Sequence, residues 1–377
     1  MMLSSSAVLL ALLGCSTPTR TRVEPSFVNV AITSGEVGTP DAPVPFTSAP
    51  VSYGITVTTT DYNGDAYPMN GDLTLQVRPG TLAQDSLITL ANGTWSGSVL
   101  FQDGFGPTRI WATDEGDRDQ KSTRPASYAA GVSEAINFDF PTIAEMQATT
   151  NTETNNLMGE FAELRIADRQ VVVIARDAAG FWAQDIMDPP ASGASVYVYT
   201  FSRPDDTLAV GAQLSMLNGI DEEYLASTQF SYPTTGVTGA TLAVPAAVNL
   251  TACDDTNMEL VEGARVAVNN GTIPATFIDG SQDYSDYLTY GQWPIAFGAC
   301  TLYVESSSTV PDYHPTDHVG ETVGYVSGMV KQIYSKWVIV VEDPSDIGDA
   351  APAPAPQPPA RTGAQKAATR QYYPEFP

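Results

Sequence analysis

The chain has 377 residues, of which 43% are hydrophobic and only 16% charged, and its 43 acidic against 17 basic side chains give a formal net charge of −26. That length allows two or three domains with packed cores. The acidity repels phosphate backbones at long range, which disfavours nucleic acid as a partner. With 30 glycines and 28 prolines among frequent Val, Thr, Ser and Tyr, the composition predicts short strands and many turns.

The first element is an uncharged apolar stretch, Ala7 to Leu13, about half the length that a bilayer span needs. It closes on Leu12-Leu13-Gly14-Cys15, with a small residue directly before a cysteine. These residues resemble the lipobox of bacterial lipoproteins. The resemblance implies that residues 1–14 are a signal peptide, that Cys15 becomes an acylated N-terminus carrying diacylglycerol and a fatty acid such as palmitate, and that 15–23 are a tether. Ser16 after the cysteine, in place of Asp, implies the outer membrane of the cell envelope. Met1 to Ser6 lack the Lys or Arg usual in a signal. An ordinary secretory signal with an incidental cysteine is the alternative. If Cys15 is lipidated, Cys253 and Cys300 remain as the other two of three cysteines. Outside the cytoplasm such a pair is expected to join as a disulfide.

Residues 24–140 carry alternating runs such as Tyr53 to Thr60, Leu73 to Val77 and Thr108 to Thr113, separated by Asn63-Gly64, Pro79-Gly80, Asn92-Gly93 and Asp103-Gly104. Regularly spaced short strands of this kind suggest a sandwich. The order Asp61-Tyr62-Asn63-Gly64-Asp65, then Gly71-Asp72-Leu73-Thr74-Leu75, then Arg109 to Asp114 resembles the bacterial Ig-like modules of surface proteins. The Asp61–Asp65 run also has the look of a calcium loop, but it lacks the glycine and the downstream Glu of an EF-hand; a β-turn is the expected reading. A polar linker is placed at 141–157. Residues 157–170 (LMGEFAELRIADRQ) are the best local helix candidate, with a short helix leading into a strand as the other reading.

From 158 the chain repeats itself at an offset near 110 residues. Val171 to Ala175, Gly180 to Asp185, Ser195 to Tyr199 and Val210 to Gly219 are followed in the same order by Glu262 to Val268, Tyr290 to Ile295, Cys300 to Val304 and Val319 to Gly328. The clearest correspondence is Val-Gly-x-x-apolar-x-x-apolar-x-Gly. Leu225 to Phe230 and Ser335 to Val341 are candidate closing strands. The order resembles OB-like β-barrels of secreted bacterial proteins, some of them fused to extracellular nucleases, and implies barrels over 158–245 and 246–348. The expected fold is therefore all-β: an Ig-like sandwich, two OB-like barrels, and a disordered Ala/Pro-rich tail over 349–377.

Catalytic patterns are scarce. The only histidines are His314 and His318, flanked by Pro311 and Pro315, which argues against a helix that would align them. With Asp312 and Asp317 they are weak metal candidates; no cofactor is expected. OB-like barrels stack ligands on exposed aromatics, so Phe181, Trp182, Trp293 and Trp337, with Tyr197, Tyr199 and Tyr303, are candidate platforms, core packing being the other reading. The expected function is a lipid-anchored, non-enzymatic binding or scaffolding protein with a protein or glycan ligand. An accessory role in extracellular nucleic-acid processing is the alternative.

Overall fold

The computed structural model describes residues 27–114, 129–148, 157 and 159–349. Cys15 with its lipobox, and the Ala/Pro-rich stretch from 350, lie outside the described residues. The fold is all-β, and the longest helix among the described residues has 9 residues.

The first unit holds β1 (Phe27–Ser34), β2 (Val51–Thr60), β3 (Gly71–Arg78), β4 (Thr81–Leu82), β5 (Leu87–Leu90), β6 (Thr94–Gln102), β7 (Gly106–Thr113), β8 (Gly131–Val132) and β9 (Ile136–Phe138). One sheet runs β1-β2-β6-β4; the other runs β5-β3-β7-β8, with β9 also paired to β7. Alternation explains how they face each other: Tyr53, Ile55 and Val57 from β2 meet Leu73, Leu75 and Val77 from β3 and Ile110 and Ala112 from β7 in one buried core. The Asp61 loop is a turn, because the Asp61 carboxylate accepts the backbone N–H groups of Asn63 (2.8 Å) and Asp65 (3.0 Å).

Among the described residues, 159–170 form no helix. The apolar residues Ala162, Leu164 and Ile166 are buried while their neighbours are not, a period of two that a helix cannot satisfy. Part of this stretch forms β10 (Phe161–Glu163), which pairs with β14 (Ala212–Tyr224). Before it, within the stretch expected as a linker, Thr142 caps the one-turn helix α1 (Ile143–Met146), whose Ile143 and Met146 enter the core of the next unit.

That unit comprises β11 (Val171–Arg176), β12 (Gly180–Asp185), β13 (Ser195–Tyr199), β14 and β15 (Ser227–Thr241). The sheet runs β14-β11-β12-β13-β15, and β14 also pairs with β15, so the five strands close on themselves. All pairs are antiparallel except β13 with β15. The same plan returns in β17 (Arg265–Thr272), β18 (Gln292–Phe297), β19 (Cys300–Glu305), β20 (Thr322–Ile333) and β21 (Lys336–Val340). Here β20 pairs with both β17 and β21, and β19 runs parallel to β21. Short β16 (Val248–Asn249) and β22 (Ile347–Gly348) flank this barrel, and α2 (Asp255–Glu259) and α3 (Gln282–Tyr290) decorate it.

The repeat signature has a backbone cause. Gly211 and Gly320 both take positive φ (+89° and +84°) on entry to the fourth strand. Gly219 and Gly328 cross under the fifth strand so closely that a Cβ would lie 2.7 Å from Ser231 O and 2.2 Å from Val340 O. In both barrels a two-residue turn joins the fourth and fifth strands, Leu225-Ala226 and Tyr334-Ser335, each with positive φ throughout.

Cys253 and Cys300 form a disulfide, with a Cα–Cα distance of 6.1 Å. It ties the segment before α2 to the start of β19 beside the second core. Replacing both cysteines by alanine is expected to lower the unfolding free energy by about 2–4 kcal/mol. Urea titration without reductant measures this, and an unchanged midpoint contradicts the bond.

Candidate functional site

The four aromatic rings expected as platforms are buried: Phe181, Trp182 and Trp293 are 0% exposed and Trp337 is 6% exposed. Phe181 fills the first barrel. Trp293 and Trp337 fill the second, their indole N–H groups donating to Ser306 Oγ and Asp255 Oδ1. Trp182 points out of the first barrel, where Met329 and Val340 of the second cover it. This double burial explains why β11 reads Val-Val-Val-Ile-Ala without alternation. The histidines do not meet in a shared cluster. His314 precedes the short 3-10 turn Pro315–His318 without a side-chain cap hydrogen bond, while His318 stacks on Tyr313 at 5.3 Å and meets Glu321 at 2.9 Å. Among the described residues no group of three or more His, Cys, Asp or Glu side chains is placed to hold a metal ion.

The exposed rings lie elsewhere. A cleft of about 500 Å³ opens where the two barrels meet, lined on one side by Tyr199, Phe201 and Tyr232 and on the other by Lys331 and Gln332. The three rings form a row, with centroids 4.4 Å apart for Tyr199–Phe201 and 4.7 Å for Phe201–Tyr232. Phe201 is 50% exposed and Tyr232 62% exposed. Both have positive φ, +62° and +49°, a conformation that bulky side chains avoid. Each such residue costs about 1–3 kcal/mol, and strain of this kind concentrates at ligand clamps. Burial does not repay it here, since both rings remain open to solvent.

Local structure enforces the strain. Thr200 binds Ala179 O through its N–H (2.8 Å) and its hydroxyl (2.9 Å). Arg176 holds the following loop by donating to Pro204 O (2.5 Å) and Asp205 O (3.1 Å). Tyr232 occupies a β-bulge: Ser231 opposes Ile220 and Thr234 opposes Asn218, so β15 carries one extra residue, followed by Pro233. Bulges re-aim side chains, and this one turns Tyr232 toward Phe201.

The floor of the cleft is electrostatic. The Lys331 ammonium, from β20 of the second barrel, lies 3.7 Å from the Tyr197 ring centroid and 4.6 Å from that of Trp182, both on the first barrel. It pairs with Asp177 at 3.5 Å, and Asp177 accepts the Tyr197 hydroxyl at 3.0 Å. Burial pulls the Lys331 pKa down, against the pull of Asp177 and Glu305. Burial raises the pKa of Glu305, and burial with Asp177 nearby pushes the Glu342 carboxyl up to about 7. Above this floor Tyr199, Phe201 and Tyr232 offer ring faces, while Asp177 and Glu222 offer acceptor oxygens.

Behind the cleft, where the β14–β15 hairpin meets the second barrel, three more carboxylates gather. Burial pushes Glu262 up to about 8 and Glu259 up to about 7, each with help from Glu223, whose own pKa burial also raises. Glu262 accepts the Thr228 N–H at 3.3 Å, and Glu223 accepts the Thr228 hydroxyl.

No family model matches the sequence, and no curated protein is significantly similar to it.

The raised carboxylates set a pH dependence. Their folded pKa values lie above the ordinary carboxylate value, so the stability linked to their protonation is complete below about pH 4.5. It is lost as pH rises through 7 to 8. Thermal unfolding is expected at a higher temperature at pH 6 than at pH 9, and Glu262→Gln is expected to flatten that difference. A melting temperature that rises with pH in both proteins contradicts this assignment.

Proposed function

We propose that this chain is a lipid-anchored, non-enzymatic protein of the bacterial envelope that binds a neutral glycan in the cleft between two OB-like barrels. The observation that carries the reading is the row Tyr199, Phe201 and Tyr232, in which two exposed rings are held in strained backbone beside acceptor carboxylates. A sugar presents C–H faces to rings and hydroxyl donors to carboxylates. A pocket with mostly apolar walls and a few placed polar groups suits such a ligand. The closed order of five strands, with the third and fifth parallel, supports the OB-like reading of both barrels. The Leu12 to Cys15 run supports the anchor, and two or more acyl chains would hold the protein firmly.

The nucleic-acid reading rests on the barrels alone, which is an argument by analogy. Single-strand binders pair stacked rings with a basic groove. Here the one cation lining the cleft, Lys331, is engaged by Asp177 and two rings.

Calorimetric titration of the full chain in detergent against a panel of neutral oligosaccharides tests the site. Phe201→Ala and Tyr232→Ala are each expected to weaken binding about tenfold without lowering the melting temperature. Binding unaffected by both substitutions, or turnover of the oligosaccharide, contradicts the proposal. For the anchor, cells fed a clickable fatty acid are expected to label the wild-type protein and not Cys15→Ser. Equal labelling removes the lipid from the account.

A further inference from the structure

The cleft between the barrels has a second claimant within the chain itself. After Asp349 the sequence runs Ala-Ala-Pro-Ala-Pro-Ala-Pro-Gln-Pro-Pro-Ala-Arg, from 350 to 361, with Arg361 as its only charged side chain. This segment lies outside the described residues. Its composition favours the polyproline II conformation, which has three residues per turn and a rise of about 3.1 Å per residue. That period sorts the side chains into three ridges. Pro356 and Pro359 fall on one, Pro358 and Arg361 on the next, and Gln357 and Ala360 on the third. The first two ridges form one face of three prolines and a guanidinium group.

The cleft matches this face in chemistry, spacing and charge. Aromatic-lined grooves receive prolines in this conformation, because the segment is preformed and loses little entropy on docking. Pro356 and Pro359 stand about 9 Å apart. That is the most that the row of rings can span, with neighbouring centroids 4.4 Å and 4.7 Å apart. Glu222 on the cleft wall accepts from the neutral Gln229 amide at 3.4 Å and has no cation beside it among the described residues. Lys331, the cation that lines the cleft, is held by Asp177. A guanidinium entering here also suits a chain of net charge −26.

The segment starts within reach. Gly348 of β22 pairs with Tyr325 of β20, and a Cβ on Gly324 would lie 2.1 Å from Asp349 O. The chain therefore leaves the second barrel beside Gly324. Lys331, in the cleft, is seven residues further along the same strand, at most about 23 Å away. The seven residues from Asp349 to Pro356 extend over about 22 Å, so Pro356 arrives at the cleft and Pro359 crosses it.

We propose that Pro356 to Arg361 docks in the inter-barrel cleft of its own chain, with the three prolines on the faces of Phe201 and Tyr232 and Arg361 against Glu222. This rests on the reading of the ring row as a ligand platform and gives that platform a built-in competitor. At the roughly millimolar effective concentration that a short tether supplies, a segment of roughly millimolar affinity fills the cleft about half of the time. It then lowers the apparent affinity of a saccharide about twofold.

Aromatic ¹³C–¹H NMR of the full chain, with no saccharide added, tests the docking. A variant combining Pro356→Gly, Pro358→Gly and Pro359→Gly is expected to shift the Phe201 and Tyr232 ring signals and to leave those of Phe181, inside the first barrel, unmoved. Its melting temperature is expected to equal that of the wild type. Arg361→Glu is expected to shift the same signals part of the way. A synthetic peptide of residues 352–362, added to the triple variant, is expected to return them toward their wild-type positions. Ring signals that coincide in the wild type and the triple variant, or that the peptide does not move, overturn the proposal. A difference that vanishes when the wild type is diluted tenfold assigns the cleft to the segment of a second copy and overturns docking within one chain. Loss of saccharide binding leaves these outcomes as they are, whereas a saccharide that binds while the rings ignore the segment removes the docking alone.

Discussion

The junction between the two barrels depends on one buried cation. Lys331 leaves the second barrel and ends over Tyr197 and Trp182 of the first, with Asp177 as counter-ion. Such a contact is worth most where water is excluded. Here it joins two barrels whose five main strands close on themselves. Met329 and Val340 pack beside it against Val172, Ile174 and Trp182. The hairpin tips complete the junction, with the Tyr334 N–H donating to Leu225 O at 3.2 Å. The cleft with its ring row is the solvent-facing margin of this joint, so its shape follows from how Lys331 seats the barrels.

The placement of acid and base follows the same logic. In a chain of net charge −26, the described arginines and lysines mostly sit on carboxylates: Arg169 on Asp185 and Asp188, Arg265 on the buried Asp346, Lys336 on Asp286, Lys331 on Asp177. Carboxylates without cations are pressed into the interface behind the cleft and hold their protons above the usual range.

Much of the fold was legible because backbone constraints leave marks on the sequence. The repeat from 158 was visible through Val210-Gly211 and Val319-Gly320, where the chain turns with positive φ, and through Gly219 and Gly328, where strands cross too closely for a side chain. The runs on either side of these glycines fall on matching strands of two barrels with one strand order. In the 157–170 segment Leu, Ala and Glu favour a helix, but the alternate burial of Ala162, Leu164 and Ile166 leaves only the strand part of the expectation. The site was less legible. Trp182 and Trp293 looked like platforms because large aromatics can serve either role, and only the barrel contact shows Trp182 covered on its outer side. Tyr199 was among the candidates, but Phe201 and Tyr232 were not. They are distant in sequence, and their meeting depends on a bulge and on two strained backbone positions that no local pattern announces.

The central claim is that the barrel junction presents Tyr199, Phe201 and Tyr232 as one preformed ligand platform. Aromatic ¹³C–¹H NMR of the full chain, recorded during titration with a neutral oligosaccharide, tests it most directly. The account predicts that the three ring signals are narrow and dispersed before ligand is added and then shift together along one saturation curve, while Trp111 and Phe161 stay still. Ring signals averaged by motion in the free protein, or shifts confined to residues away from the cleft, would contradict it.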